Sequence, residues 1–227
     1  MLNELTNAEG SSASTAAGVR GMLIVVSSPS GGGKGTLIDR VLKTVPGVSY
    51  SVSYTTRAPR GAEQDGREYF FVSTAAFEEM ISRGEFLEWA NVYGYLYGTS
   101  RAQVERERAA GHDIILEIDV QGAASIRETI DDAVSIFILP PSFELLSQRL
   151  VTRGTDSPAA LERRLRGAPA EVEQHKNFQY VILNDDINRA SQQLAAVIYA
   201  ERARLKRQEE RLKDTFADFG QLENFAR

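Results

Sequence analysis

The apolar run from Met22 to Val26 is followed at once by the glycine-rich stretch SSPSGGGKGT (27–36) and then by a helical pattern. The run is short and rich in β-branched residues, which is typical of a strand buried on both faces. After the glycines, Leu37, Val41 and Leu42 lie on one face of a helix. Strand, glycine-rich loop and helix in this order predict a phosphate-binding loop.

The loop departs from the usual pattern, G-x-x-x-x-G-K-[ST], at both ends. Ser28 stands where the first glycine is expected, and Gly35 stands where a hydroxyl for magnesium is expected, with Thr36 one position later. The loop still supplies backbone N–H groups without obstructing side chains, next to Lys34, which can reach the β- and γ-phosphates. A nucleotide phosphate site is therefore favoured, and a structural turn is the alternative.

Three further apolar runs, at 113–119, 134–139 and 180–184, are separated by helical patterns. Alternation of buried strands and helices predicts an α/β fold with a doubly wound parallel sheet. In the segment 143–167, arginines cluster between two helical patterns. Pro169 lies in the second of them and predicts a kink or a break.

The region from 48 to 98 interrupts this alternation because it is aromatic and β-rich with little helix. It predicts a small β-rich lobe that stands on the α/β core. We interpret Trp89 and the aromatic residues of EYFF (68–71) as the core of this lobe; a stacking platform is the alternative.

Composition restricts the function classes. A chain of 227 residues fits one domain of ordinary size, and its net charge of −5 argues against general nucleic-acid binding. The absence of cysteine excludes disulfides and thiolate metal sites. Residues 1–20 are small and polar without a signal-peptide pattern, and no segment has the apolar length of a membrane span. We expect a disordered tail on a cytoplasmic protein without a membrane partner.

The last long segment, from Ile187 to about 215, is charged and helical. A solvated helix face is the simplest interpretation of its charges, and a contact within a homo-oligomer is the alternative.

Six ordered motifs carry a family resemblance: SVSYTTRAPRGAEQDGREYFFV, GEFLEWANVYGYLYGTS, ILEIDVQGA, FILPPS, RLVTRGTDS and VILNDD. With the loop, they make the chain resemble the guanylate kinases, enzymes that phosphorylate GMP with ATP. The resemblance covers about residues 21–207 and leaves 208–227 as a C-terminal helical extension. It implies a P-loop kinase core, a GMP-binding lobe, an arginine-rich lid, and Mg²⁺ held mainly through nucleotide phosphates and water, without a protein metal site.

The resemblance also implies the phosphate contacts. The ATP-binding residues would be Ser28, Pro29, Ser30, Gly31, Gly32, Gly33, Lys34, Gly35, Thr36 and Asn184. The groups that act on the transferred phosphoryl would be Lys34, Arg57, Arg149, Arg153 and Arg164, the last three on a mobile lid. The GMP phosphate would be gripped by Arg57, Arg60, Tyr69 and Tyr97. Arginine suits this task because its planar fork binds phosphate oxygens bidentately; a surface salt bridge is the alternative for each.

Base selectivity can be argued from atoms. Guanine presents N1–H and N2–H₂ as donors, which ionised carboxylates accept, whereas adenine lacks both donor groups. The matching acids are Glu88 and Asp119, with the hydroxyls of Ser53 and Thr99 beside them.

Two assignments keep an alternative. Glu117 would lie beside the GMP site with a role towards magnesium or the lid, and a purely structural role is the alternative. Asn184 would contact adenine, unless it forms an Asx turn that ends the strand.

Two other functions fit the same resemblance: a guanylate-kinase-like module that binds phosphopeptides without catalysis, and a kinase of this fold that acts on a sugar phosphate. The loop and the GMP contacts argue against the first, and the guanine-reading carboxylates argue against the second.

Overall fold

The computed structural model describes residues 20–154 and 157–222. The strands are β1 (Leu23–Ser27), β2 (Val48–Tyr50), β3 (Tyr54–Thr55), β4 (Phe70–Phe71), β5 (Phe86–Val92), β6 (Tyr95–Ser100), β7 (Asp113–Glu117), β8 (Val134–Leu139) and β9 (Tyr180–Leu183). The helices are α1 (Lys34–Thr44), α2 (Thr74–Ser82), α3 (Arg101–Ala109), α4 (Val120–Thr129), α5 (Phe143–Arg153), α6 (Pro158–Glu173), α7 (Ile187–Arg202) and α8 (Leu205–Leu222), with a 3₁₀ turn at Gln174–Asn177.

The large sheet has the strand order β2-β7-β1-β8-β9, and every neighbouring pair is parallel. Helices α1 and α7 pack on one face and α3 and α4 on the other. The predicted α/β fold with a doubly wound parallel sheet is confirmed.

Strand β1 lies in the middle of this sheet and divides its side chains between two cores. Ile24 and Val26 pack with the helices α1 and α7, while Leu23 and Val25 pack with α3 and α4. Successive side chains of a strand point to opposite faces, so burial on both faces requires an uninterrupted apolar run. This packing fixes the carboxyl end of β1, where the glycine-rich loop begins.

A second sheet, with the order β4-β3-β6-β5, forms the lobe. The predicted start at residue 48 is too early, because β2 pairs with β7 in the main sheet. The interpretation of Trp89 as lobe core is wrong: its side chain is 46% exposed, because it lies on the outward face of β5. Phe77 and Phe86 fill the lobe core instead, with stacked rings 4.4 Å apart.

The arginine-rich segment forms the helix pair α5 and α6, which runs on to Glu173, beyond the predicted end at 167. Pro169 does not break α6. Its ring is exposed, and Leu165 and Ala168 pack against α5 just before it, which holds the helix in place. The arginines of the segment are described below.

The C-terminal segment is two helices rather than one, since α7 ends at Arg202 and α8 begins at Leu205. Within residues 20–154 and 157–222, no helix combines the length and the apolar character that crossing a membrane requires. The predicted tail, 1–20, lies outside the described residues except for its last one.

We predict that Phe77→Ala lowers the free energy of unfolding by about 3–5 kcal/mol, because it empties a fully buried aromatic position. Trp89→Ala is the matched control and should cost about 1 kcal/mol or less, since much of that ring already meets solvent. Urea unfolding of both variants gives the comparison. Equal losses would contradict the assignment of the lobe core.

Candidate active site

One cavity of 880 Å³ lies between the main sheet, the lobe and the helix α6. Most of the predicted site residues line it: Ser28, Ser30, Gly31, Gly32, Gly33, Lys34, Gly35, Thr36, Ser53, Arg57, Arg60, Tyr69, Tyr97, Glu117, Asp119, Arg149, Arg164 and Asn184. Its volume and convergent polar groups are those of a small-molecule site.

Gly33 is the N-cap of α1 and has a φ of 88°, a left-handed conformation that favours glycine. The loop therefore delivers its backbone directly to the N-terminus of a helix, where the dipole favours negative charge. Lys34 Nζ donates to Ser28 Oγ at 3.1 Å. The serine that replaces the expected glycine thus holds the lysine at the loop.

Ser28 also accounts for the glycine at position 32. A Cβ on Gly32 would lie 2.6 Å from Ser28 Oγ, closer than the two atoms can approach. The side chain gained at the first loop position therefore occupies the space that a side chain at position 32 would need.

Two side chains from distant elements hold the loop. Asn184, buried after β9, donates from Nδ2 to the Gly32 carbonyl at 2.9 Å. Arg149 of α5 reaches the Gly32 carbonyl at 3.3 Å and the Asn184 carbonyl at 3.2 Å. An Asx turn at Asn184 would accept the Asp186 N–H, but that group donates to Asp185 Oδ1 at 2.7 Å, and the Asn184 side chain supports the loop instead.

Arg164 and Arg153 differ in what the structure describes. Arg164 donates to Ser30 Oγ at 3.2 Å, which brings the lid helix α6 to the loop. Arg153 ends α5, and its side chain is outside the described part of the chain. Arg149 and Arg164 both bond to the loop, so a surface salt bridge alone does not account for either of them.

Arg57 anchors the opposite wall of the cavity. Its guanidinium is 5% exposed and donates to both oxygens of Glu63, at 2.9 and 3.0 Å, and to the Tyr97 hydroxyl at 3.2 Å. It also lies 5.2 Å from the centre of the Tyr69 ring. Glu63, which the sequence analysis did not single out, accepts the backbone N–H of Arg60 as well and so positions both arginines.

Glu88 is buried beneath the lobe, and Thr99 Oγ1 donates to it at 2.5 Å. Burial, reinforced by the neighbouring charge of Asp119 and only partly offset by the Thr99 hydrogen bonds, raises the pKa of Glu88 to about 7. Its carboxylate packs against α4, since a Cβ on Gly122 would lie 2.4 Å from Glu88 Oε2. Pro29, Glu88 and Thr99 are not among the residues that line the cavity.

Glu117 is the last residue of β7, and Asp119 lies two residues further along the chain. Asp119 is the N-cap of α4, and its Oδ1 accepts the Gly122 N–H at 3.0 Å. Its other oxygen, Oδ2, accepts from the side-chain amide of Gln121 at 3.1 Å. Glu117 accepts the Tyr50 hydroxyl at 3.3 Å. A Cβ on Gly35 would lie 3.7 Å from Glu117, so this carboxylate faces the position of the missing loop hydroxyl.

The parallel sheet, the glycine-rich loop after its first strand and the cavity with Lys34 and several arginines in its lining define a P-loop nucleotide-binding protein of the α/β class. The family model for guanylate kinase matches residues 20–201. The chain belongs to the guanylate kinase family.

Similar proteins match this chain over most of its length. A guanylate kinase from Symbiobacterium thermophilum is 50% identical over 203 residues, 89% of this chain and 96% of the relative. One from Aromatoleum aromaticum is 51% identical over 84% of this chain and 94% of its own length. The crystal structure of guanylate kinase from Anaplasma phagocytophilum superposes with a TM-score of 0.73 at 34% identity, covering 87% of this chain and 96% of that one.

We predict that Gly33→Ala destabilises the protein more than Gly61→Ala. Both glycines have a positive φ, 88° at Gly33 and 55° at Gly61, so each substitution carries backbone strain on the order of 1–2 kcal/mol, and more at Gly33. Only at Gly33 would the new Cβ meet another group, Asn184 Nδ2 at 2.5 Å, whereas nothing lies within 4 Å at Gly61. Urea unfolding measures the difference, and equal losses would contradict the contact between Asn184 and the loop.

Proposed function

We propose that the protein is a guanylate kinase that transfers the γ-phosphoryl group of ATP to GMP, and to dGMP, giving ADP and GDP or dGDP. The observation that carries the proposal is that two sets of groups suited to binding phosphate face one cavity, Lys34 with its loop on one wall and Arg57 with Tyr69 and Tyr97 on the other. Phosphoryl transfer depends mainly on such positioning and on neutralising charge.

On the donor side, the loop amides and Lys34 bind the β- and γ-phosphates of ATP. Arg149 and Arg164 add positive charge from the lid, and their hydrogen bonds to the loop support this role. Arg153 is assigned the same role because of its place in the family motif RLVTRGTDS. An oxygen of the GMP phosphate attacks the γ-phosphorus, and the bond to the β-phosphate oxygen breaks to release ADP.

On the acceptor side, Arg57, Arg60, Tyr69 and Tyr97 hold the GMP phosphate. The pair of hydrogen bonds from Arg57 to Glu63 fixes the guanidinium before the ligand arrives. Less side-chain entropy is therefore lost when the ligand binds. Glu88 and Asp119 accept the guanine N–H groups, with Ser53 and Thr99 beside them. Thr99 already orients the Glu88 carboxylate.

Magnesium accompanies the nucleotide in this proposal. Mg²⁺ prefers oxygen ligands and commonly binds through phosphates, waters and one or two carboxylates. The described residues contain no cluster of three metal-binding side chains, whereas Glu117 faces the loop at Gly35. These residues fit an ion held mainly by the phosphates, with Glu117 as the nearby carboxylate; the ion would neutralise charge on the transferred group.

A coupled assay of ADP release tests the function with GMP, AMP and ribosyl phosphates as acceptors. We expect turnover with GMP and a kcat/KM for AMP lower by about 10⁴–10⁵-fold, because a site that hydrogen-bonds a donor rejects an analogue without it. A phosphopeptide-binding module would release no ADP with any acceptor. A sugar phosphate kinase would prefer a ribosyl phosphate to GMP.

Lys34→Met should lower kcat by on the order of 10²-fold or more, because one positive charge on the transferred phosphoryl stabilises the transition state by several kcal/mol. GMP binding, measured by calorimetry, should survive, since the acceptor groups lie on the other wall. An unchanged kcat would contradict the phosphate-binding role of the loop. Lys43→Met, on the last turn of the same helix, is the matched control.

Glu88 predicts a pH dependence. Guanine needs the ionised carboxylate, so kcat/KM for GMP should fall as the pH decreases through about 7, the pKa to which burial raises this group. The GMP phosphate itself titrates near pH 6, as phosphate monoesters do. The pH profile of Glu88→Gln should keep the titration of the substrate phosphate but lose the one at about 7. Comparison of this profile with that of the unaltered protein therefore separates the two titrating groups. Identical profiles would contradict the base-reading role of Glu88.

A further inference from the structure

Glu171 of α6 is a carboxylate that lines the cavity beside the phosphate loop. A negative charge in this place would repel a bound polyphosphate. The presence of Glu171 therefore calls for a stabilising contact that outweighs this repulsion. The carboxylate links two elements: Oε2 accepts the backbone N–H of Ser30 at 2.9 Å, and Oε1 accepts the Tyr93 hydroxyl at 2.8 Å. It therefore joins the lid helix to the loop and to the lobe.

Tyr93 reaches Glu171 from the turn between β5 and β6. Its φ of 54° belongs to the two-residue turn Tyr93–Gly94, in which both residues have a positive φ, as in the type I′ turns that match the twist of a hairpin. The side chain lies against α6, because a Cβ on Gly167 would be 2.9 Å from the Tyr93 hydroxyl. The Arg164 guanidinium lies 5.7 Å from the ring centre.

We propose that Tyr93 and Glu171 are positioning residues that form a latch between the GMP-binding lobe and the lid. The hydrogen bond forms only when the lobe tip meets α6, and the other oxygen of the same carboxylate holds the loop. The latch thereby stabilises the arrangement in which the acceptor phosphate faces the donor phosphates. This inference rests on the proposed function, because it assigns GMP to the lobe and ATP to the loop.

Tyr93→Phe tests the latch because it removes one oxygen atom and leaves the bond between Glu171 and Ser30. We expect kcat/KM for GMP to fall about tenfold, the loss of one hydrogen bond to a charged group, with a smaller change in KM for ATP. Glu171→Gln should lower kcat/KM for GMP by a similar factor. The double variant should be no worse than the more impaired single variant, because both substitutions break the same contact.

Tyr95→Phe and Glu173→Gln are the matched controls. Tyr95 lies in the same hairpin with a side chain 43% exposed, and Glu173 is exposed on the same helix. Both should retain the kinetics of the unaltered protein. If Tyr93→Phe behaves like Tyr95→Phe, or if the effects of Tyr93→Phe and Glu171→Gln add in the double variant, the latch is overturned.

A distance measurement tests the latch without reference to activity. The chain has no cysteine, so Glu78→Cys on α2 of the lobe and Ala159→Cys on α6 give a single pair of spin-labelling sites. We expect Tyr93→Phe to broaden and lengthen the distance distribution, both in the protein alone and with GMP. An unchanged distribution overturns the latch. Absence of GMP phosphorylation by the unaltered protein would instead refute the proposed function.

Discussion

The burial of β1 on both faces determines where the glycine-rich loop, the predicted phosphate site, can lie. Its alternate side chains enter two separate cores, so the strand has no freedom to shift along its axis or to rotate. The loop that follows inherits this fixed origin, and the left-handed backbone of Gly33, the N-cap, leads the chain into α1. A phosphate site made of backbone groups needs such rigidity, because misplaced amides cannot be corrected by rotating a side chain.

Positive and negative side chains both lie in and around the cavity, and the carboxylates have hydrogen-bond partners. Glu63 holds Arg57, Asp119 caps α4, Glu117 accepts from Tyr50, and Glu171 joins two elements. An arginine left mobile would lose side-chain entropy when it binds a phosphate, whereas one held by a carboxylate loses it during folding. Glu63 thus holds the otherwise flexible Arg57 in place, although its negative charge offsets part of the positive charge of the arginine.

The sequence predicted the sheet, the loop and most of the cavity lining, because these depend on local pattern and on ordered motifs. Trp89 was assigned to the core together with the aromatic residues of EYFF, although the alternation along β5, where Glu88 and Ala90 are buried and Trp89 and Asn91 are exposed, carried the opposite signal. Glu171 was missed for a different reason: its partner Ser30 lies 141 residues away, and a lone glutamate in a helix gives no sign of such a contact. The individual roles of the site residues in binding and transfer remain predictions.

The β5–β6 hairpin is anchored in the core at one end and contacts α6 at the other. Leu87, near its base, is packed into the core beside α4, while Tyr93 forms the tip. From Leu87 to Tyr93 the strand extends roughly 20 Å at about 3.3 Å per residue, so the hairpin acts as a lever arm. A tilt of only a few degrees at Leu87 moves the tip by more than an ångström, enough to separate a hydrogen-bonded pair. Small rearrangements of packing at the base are thereby amplified into making or breaking the contact with the lid.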